Sequence, residues 1–235
     1  MGFNKVNYAR IRAEYARKYL IAQDVAEERK FDLQTKIPEL WPLDREIARA
    51  GSEIMSAAIH ASSPAEREAM INEAKRPVIY AGGGVIASGA AKDVAILAHK
   101  AEIPVATTLM GLGAFDERDP LALRLAGMHG TPAANWAINE ADLIIALGVR
   151  FSDRVTGKIS KYAPKAKIVH VDCDPSSIGK NVEVDLGIVA DVKDVLTTVG
   201  SRIKAAKHTE WLATIAAWQK SHPVAYKKMH VLDFL

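Results

Sequence analysis

From residue 77 onward, short continuous apolar runs alternate with stretches of helical periodicity. Residues 78–81 (Val-Ile-Tyr-Ala), 104–108, 143–147 and 168–171 are runs of four or five mostly apolar residues, rich in Val and Ile. Residues 123–127 and 187–190 are weaker copies of the same pattern. Runs of this length without alternation predict strands buried on both faces, as in a parallel sheet. Helical patterns follow at about 88–100, 132–140, 192–206 and 208–220. Six strands with intervening crossovers predict an α/β fold, a doubly wound, Rossmann-like six-stranded parallel sheet.

The first 63 residues have a different texture. Residues 4–30 read as a polar helix, with Ile11, Tyr15, Tyr19, Ala22 and Val25 on one stripe. Pro38 and Pro42 interrupt the pattern around Trp41, and a second helix is expected over about 44–60. Ser63 before Pro64, with Glu66 three residues on, reads as an N-cap opening a helix that runs to about Ala74. The expected organisation is a helical N-terminal appendage (1–63), a central α/β domain (64–206) and a helical exit segment (207–235).

Composition narrows this picture. Apolar residues make up 49% and charged residues 25%, the ordinary range for a folded domain. The net charge is +3 and the basic residues are interspersed with acids, which argues against a nucleic-acid surface. A single cysteine, Cys173, rules out an internal disulfide and a multi-cysteine metal site. No apolar run reaches membrane-spanning length and the N-terminus does not read as a signal peptide, so no membrane is expected and a cytoplasmic location is.

In sheets of this kind ligands bind beyond the carboxyl ends of the strands, and the candidate chemistry collects there. Gly82, Gly83 and Gly84 follow the first strand and precede a helix; with Ala87 they give a partial echo of a dinucleotide-binding glycine motif, equally compatible with a plain turn. Gly111 and Gly113 follow Thr108, Leu109 and Met110, in a loop suited to lie against a flat ligand or simply to connect. Gly127 and Gly130 bracket Met128 and His129 before a helix start at Thr131-Pro132; His129 on its own reads more readily as a structural histidine than as a catalyst. Arg150, Asp153 and Arg154 follow Gly148, where they form a surface ion pair or meet a phosphate or carboxylate. Asp172 and Asp174 follow the fifth strand, placed for ribose hydroxyls but too few for a metal. Asp191 ends the sixth strand and reads as the cap of the helix beginning at Val192. Together these positions point to a nucleotide or dinucleotide site, with no metal site and no catalytic constellation.

The same strings resemble one family. The segments 74–84, 103–115, Gly127-Met128-His129-Gly130, 148–157 and Ile178-Gly179-Lys180-Asn181 are similar, in this order, to the central domain of acetolactate synthase large subunits, thiamine-diphosphate enzymes of branched-chain amino-acid biosynthesis that condense pyruvate. The resemblance covers roughly residues 64–226. It implies an extended FAD, largely structural, across the strand ends. The implied contacts are Gly82–Gly84, Thr108, Leu109, Met110, His129, Gly130, Gly148, Arg150, Asp172, Asp174, Ile178, Asp191 and Val192. Met128, Asp153 and Arg154 would flank the channel for substrates and inhibitors. The family's thiamine-activating glutamate and its Gly-Asp-Gly diphosphate and Mg²⁺ motif are not found, so neither thiamine diphosphate nor Mg²⁺ binding, nor catalysis, is expected of this chain alone. A homo-oligomer, the family's other domains and a regulatory subunit are the expected partners. Two other readings compete: a binding or regulatory protein that kept the fold without the cofactor, and a nicotinamide-dependent oxidoreductase.

Overall fold

The computed structural model describes residues 64–200 and 202–224. The helices expected over 4–30 and 44–60, and the Ser63 cap, lie outside the described residues. The chain enters through helix α1 (Pro64–Glu73) and strand β1 (Pro77–Ala81). Helices α2 (Gly83–Ala87) and α3 (Ala91–Ala101) lead to β2 (Val105–Thr107) and β3 (Ala122–Leu125). Helix α4 (Pro132–Glu140), β4 (Leu143–Leu147) and the single turn α5 (Asp153–Thr156) follow. Strands β5 (Lys167–Asp172) and β6 (Leu186–Val189), then α6 (Val192–Gly200) and α7 (Thr209–Ser221), complete the order.

The six strands form one sheet in the order β3-β2-β1-β4-β5-β6, and every pairing is parallel. This is the expected doubly wound sheet. The connection after β1 runs outward through β2 to β3, then returns to place β4 on the other side of β1. The chain therefore diverges in opposite directions at the β1–β4 boundary, which opens a crevice at the carboxyl ends.

The apolar runs are continuous because both faces are covered. In β4, Leu143, Ile145 and Leu147 enter one core with Val94, Leu97 and Leu196 from α3 and α6. Ile144 and Ala146 enter the other with Ala134 and Ile138 of α4 and Trp211 and Ile215 of α7. Helix α7 also reaches the amino ends of the strands: Trp211 Nε1 donates to Pro77 O at 3.1 Å and Gln219 Nε2 to Ala122 O at 3.2 Å. Thr131 caps α4, its Oγ1 accepting from Ala134 N at 3.1 Å while its hydroxyl donates to Leu123 O at 2.8 Å.

Boundaries shift where the backbone turns. The helix expected over 88–100 is α3, which begins only at Ala91, after Gly89 with φ +66°; the short α2 ahead of it occupies the glycine turn, where no helix was expected. The helix expected to reach 206 stops at Gly200. The third strand ends at Leu125, ahead of Gly127 with φ +108°. None of these shifts alters the order of elements. Among the described residues, no helix is long and apolar enough to cross a membrane.

Candidate functional site

At the β1–β4 divergence two glycine turns touch backbone to backbone. Gly82 N donates to Leu147 O at 2.9 Å and Gly84 N to Gly148 O at 3.2 Å. Gly148 takes φ +59°; a Cβ on Gly84 would stand 2.6 Å from Gly148 Cα, and one on Gly82 would collide with Gly148 O. Side chains cannot be accommodated in this contact, which explains the glycines on structural grounds. It also leaves a side-chain-free cradle where a ligand can approach the backbone.

Above the cradle lies a cavity of about 710 Å³, within the range of small-molecule and cofactor sites. Its floor is apolar, with Tyr80, Leu125, Val149 and Phe151 in the lining. Its lip is apolar and exposed: Leu109, Met110 and Met128 are 69%, 76% and 70% accessible. Thr108 holds that lip by accepting from Gly111 N at 3.0 Å through Oγ1. On the opposite side, Asn135 grips both polar groups of Gly127, accepting from its N at 2.8 Å and donating to its O at 2.9 Å. Met128 N in turn donates to Arg154 O at 2.9 Å. The Met128–His129 tip is thereby fixed beside the loop that follows β4.

The polar groups gather at one end. Arg150, Asp172, Cys173 and Asp174 line the same cavity. Asp172 Oδ1 accepts from Asp174 N at 2.9 Å, and Asp174 accepts from Ser176 N at 2.9 Å and the Ser177 hydroxyl at 3.1 Å. Partial burial opposes ionisation of Asp174. The hydrogen bonds from Ser176 and Ser177 and the charge of Arg150 outweigh it, and the carboxyl lies below its ordinary value. A cation and an ionised acid thus share the carboxyl ends of β4 and β5, available for phosphate and hydroxyl groups respectively.

The cavity brings together most of the expected site residues: Gly83, Gly84, Thr108, Leu109, Met110, Met128, His129, Gly148, Arg150, Arg154, Asp172 and Asp174. Others sit elsewhere. Gly82 lies beneath the cradle in the Gly148 contact. Gly130 supports the tip, its N donating to Gly127 O at 2.9 Å. Ile178 and Val192 are buried in the two cores. Asp153 points to solvent 4.0 Å from Arg154 Nε, and Asp191 Oδ1 accepts from Lys193 N at 2.8 Å, the capping role read for it. Gly111 packs against the Ala81 carbonyl at the end of β1. Tyr80 and Phe151 were not anticipated: Tyr80 reads as part of a buried strand, Phe151 carries no signal of its own, and only the fold shows that the two floor a cavity. Among the described residues, no group of three or more His, Cys, Asp or Glu side chains is placed to hold a metal ion.

Residues 66–199 match the thiamine pyrophosphate enzyme central domain. The chain belongs to that family. Its central domain is 60% identical over 127 residues to a probable acetolactate synthase large subunit of Methanocaldococcus jannaschii, covering 54% of this chain and 22% of the relative. It is 53% identical over 171 residues to the probable acetolactate synthase large subunit of Methanococcus aeolicus, covering 70% and 28%. It is 46% identical over 164 residues to the chloroplastic acetolactate synthase 1 of Zea mays, covering 67% and 25%. The chain spans about a quarter of the length of these relatives. The expected resemblance to acetolactate synthase large subunits is therefore met along the central domain.

Proposed function

We propose that this central domain binds FAD in the cavity at the β1–β4 divergence. The supporting observation is the side-chain-free contact of Gly82–Gly84 with Gly148 beneath a cavity lined by Arg150, Asp172 and Asp174. Glycine backbone and Arg150 suit a diphosphate, Asp172 and Asp174 suit ribose hydroxyls, and the exposed Leu109, Met110 and Met128 suit an apolar ring system. Bound there, FAD would fill the cavity and cover the apolar lip.

In this reading the chain is the cofactor-holding part of an acetolactate synthase large subunit. Pyruvate condensation would require thiamine diphosphate and Mg²⁺ held by other domains, and a regulatory subunit is the expected partner because the relatives are named large subunits. Met128, Asp153 and Arg154 would border the approach to the reaction centre.

The test is the visible absorption spectrum of the purified chain, before and after incubation with FAD and removal of the excess. A flavin spectrum at one equivalent per chain is expected. Folded protein that retains no flavin at any concentration tried would leave the reading of a scaffold that lost its cofactor.

A further inference from the structure

We propose that His170 and Asn181 are positioning residues that fix the loop after β4 and aim Arg150 into the cavity. Five consecutive carbonyls, from the last residue of β4 into that loop, each accept a hydrogen bond. Leu147 O and Gly148 O accept from Gly82 N and Gly84 N, at 2.9 and 3.2 Å. Val149 O is 2.7 Å from His170 Nε2. Arg150 O and Phe151 O both accept from Asn181 Nδ2, at 3.0 and 3.1 Å. The first two donors belong to the glycine turn. The other three bonds come from only two side chains, one on β5 and one beyond it.

The loop needs these donors. Phe151 adopts φ +46°, a left-handed conformation unfavourable for a side chain of this size. Its ring is buried against Tyr80, Tyr162 and His170, with centroids 6.0, 6.0 and 5.2 Å away. Ring burial and carbonyl capture together hold the strained residue next to Arg150. His170 is itself buried, and Val149 O has no hydrogen to give, so Nε2 carries the proton. The Asp172 carboxylate stands 3.9 Å from the same nitrogen, too far to compete for it. The Nδ1 atom has no partner, so the side chain's polar connection is the one to Val149.

The effect on a cofactor rests on the FAD reading; the effect on the loop does not. Asparagine at 170 places its amide near Nδ1 and loses the donor to Val149, whereas glutamine reaches the position of Nε2 and keeps it. Asn181→Asp keeps size and replaces the donor by a carboxylate facing two carbonyls. The experiment measures FAD affinity and amide hydrogen exchange over residues 149–152 in the full chain, with His170 followed by ¹⁵N NMR at pH 7.5. Expected are an Nε2-protonated neutral ring, faster loop exchange and about tenfold weaker FAD binding in His170→Asn and Asn181→Asp, and restoration to near wild type in His170→Gln. Equal loss in the His170→Gln and His170→Asn variants, an Nδ1-protonated ring, or an Asn181→Asp variant with wild-type exchange and affinity would overturn the proposal. If His170→Asn does not fold, the exposed Asn181→Asp substitution decides alone. If the wild type binds no FAD, the cofactor reading fails, and loop exchange in the same variants still supports or refutes the positioning role.

Discussion

Replacing Gly148 by alanine isolates the backbone contact on which the site is built. Gly148 has φ +59°, and a Cβ there would lie 2.8 Å from Gly84 N and closer still to Gly84 Cα. Two costs follow. An alanine in the left-handed region loses about 1–2 kcal/mol. Forcing apart two turns with no side chain able to rotate away costs about 1–3 kcal/mol more. The expected loss is about 2–5 kcal/mol. Gly89 supplies the control: its φ is +66°, yet nothing lies within 4 Å of a Cβ built on it. Gly89→Ala should therefore show only the first cost. Urea unfolding of both variants at unchanged slope measures the difference, which at about 1–3 kcal/mol per M should separate the two midpoints by about 1 M. Equal losses for Gly89→Ala and Gly148→Ala would refute the claim that steric contact requires the glycines. A neutral Gly148→Ala would refute the geometry of the crossing.

Other outcomes follow from the same structure. Arg150→Ala should weaken FAD binding by about 1.5–3 kcal/mol through loss of a charge-assisted contact; calorimetric titration that finds unchanged affinity would move the phosphate site elsewhere. Thr131→Ala should destabilise the fold by about 1–2 kcal/mol while Thr131→Ser stays near wild type, since the hydroxyl both caps α4 and bonds Leu123 O; denaturant melts of the pair check this. Burial lowers the pKa of His170, with the nearby Asp172 charge and the Val149 hydrogen bond opposing it only in part. The unfolded chain then takes up the proton first, so stability should fall as pH drops below about 6.5. His170→Gln should flatten that slope in urea melts between pH 7 and 5, leaving the part due to His208, whose pKa burial also lowers. Supplied with pyruvate, thiamine diphosphate and Mg²⁺, the purified chain should form no acetolactate in a product assay.

Continuous apolar runs alternating with helical stretches carried the number and the parallel character of the strands, though not their order in the sheet. A strand such as Leu143–Leu147 is apolar at every position because the sheet is covered on both faces, and that requirement is written locally. The glycines and acids at strand ends were legible for the same reason, since a turn needs its residue types wherever it occurs. Single-turn elements such as Asp153–Thr156 were not, because four residues carry no period. The short helix Gly83–Ala87 was missed for the same reason, since five residues in a glycine-rich turn carry no period either.

The sequence by itself thus determined an α/β sheet, its strand-end glycines and charges, and its family resemblance, all properties of neighbouring residues. Only the tertiary structure decided that Gly84 and Gly148 touch, that Tyr80 and Phe151 floor a cavity, and that His170 and Asn181 hold carbonyls 21 and 30 residues away. His170 left one faint mark, a lone polar side chain within the apolar run 168–171. Its partner could not be read from that run. The hydrogen bond exists because β5 lies beside β4 in the sheet, and strand adjacency is set by the packing of the whole chain.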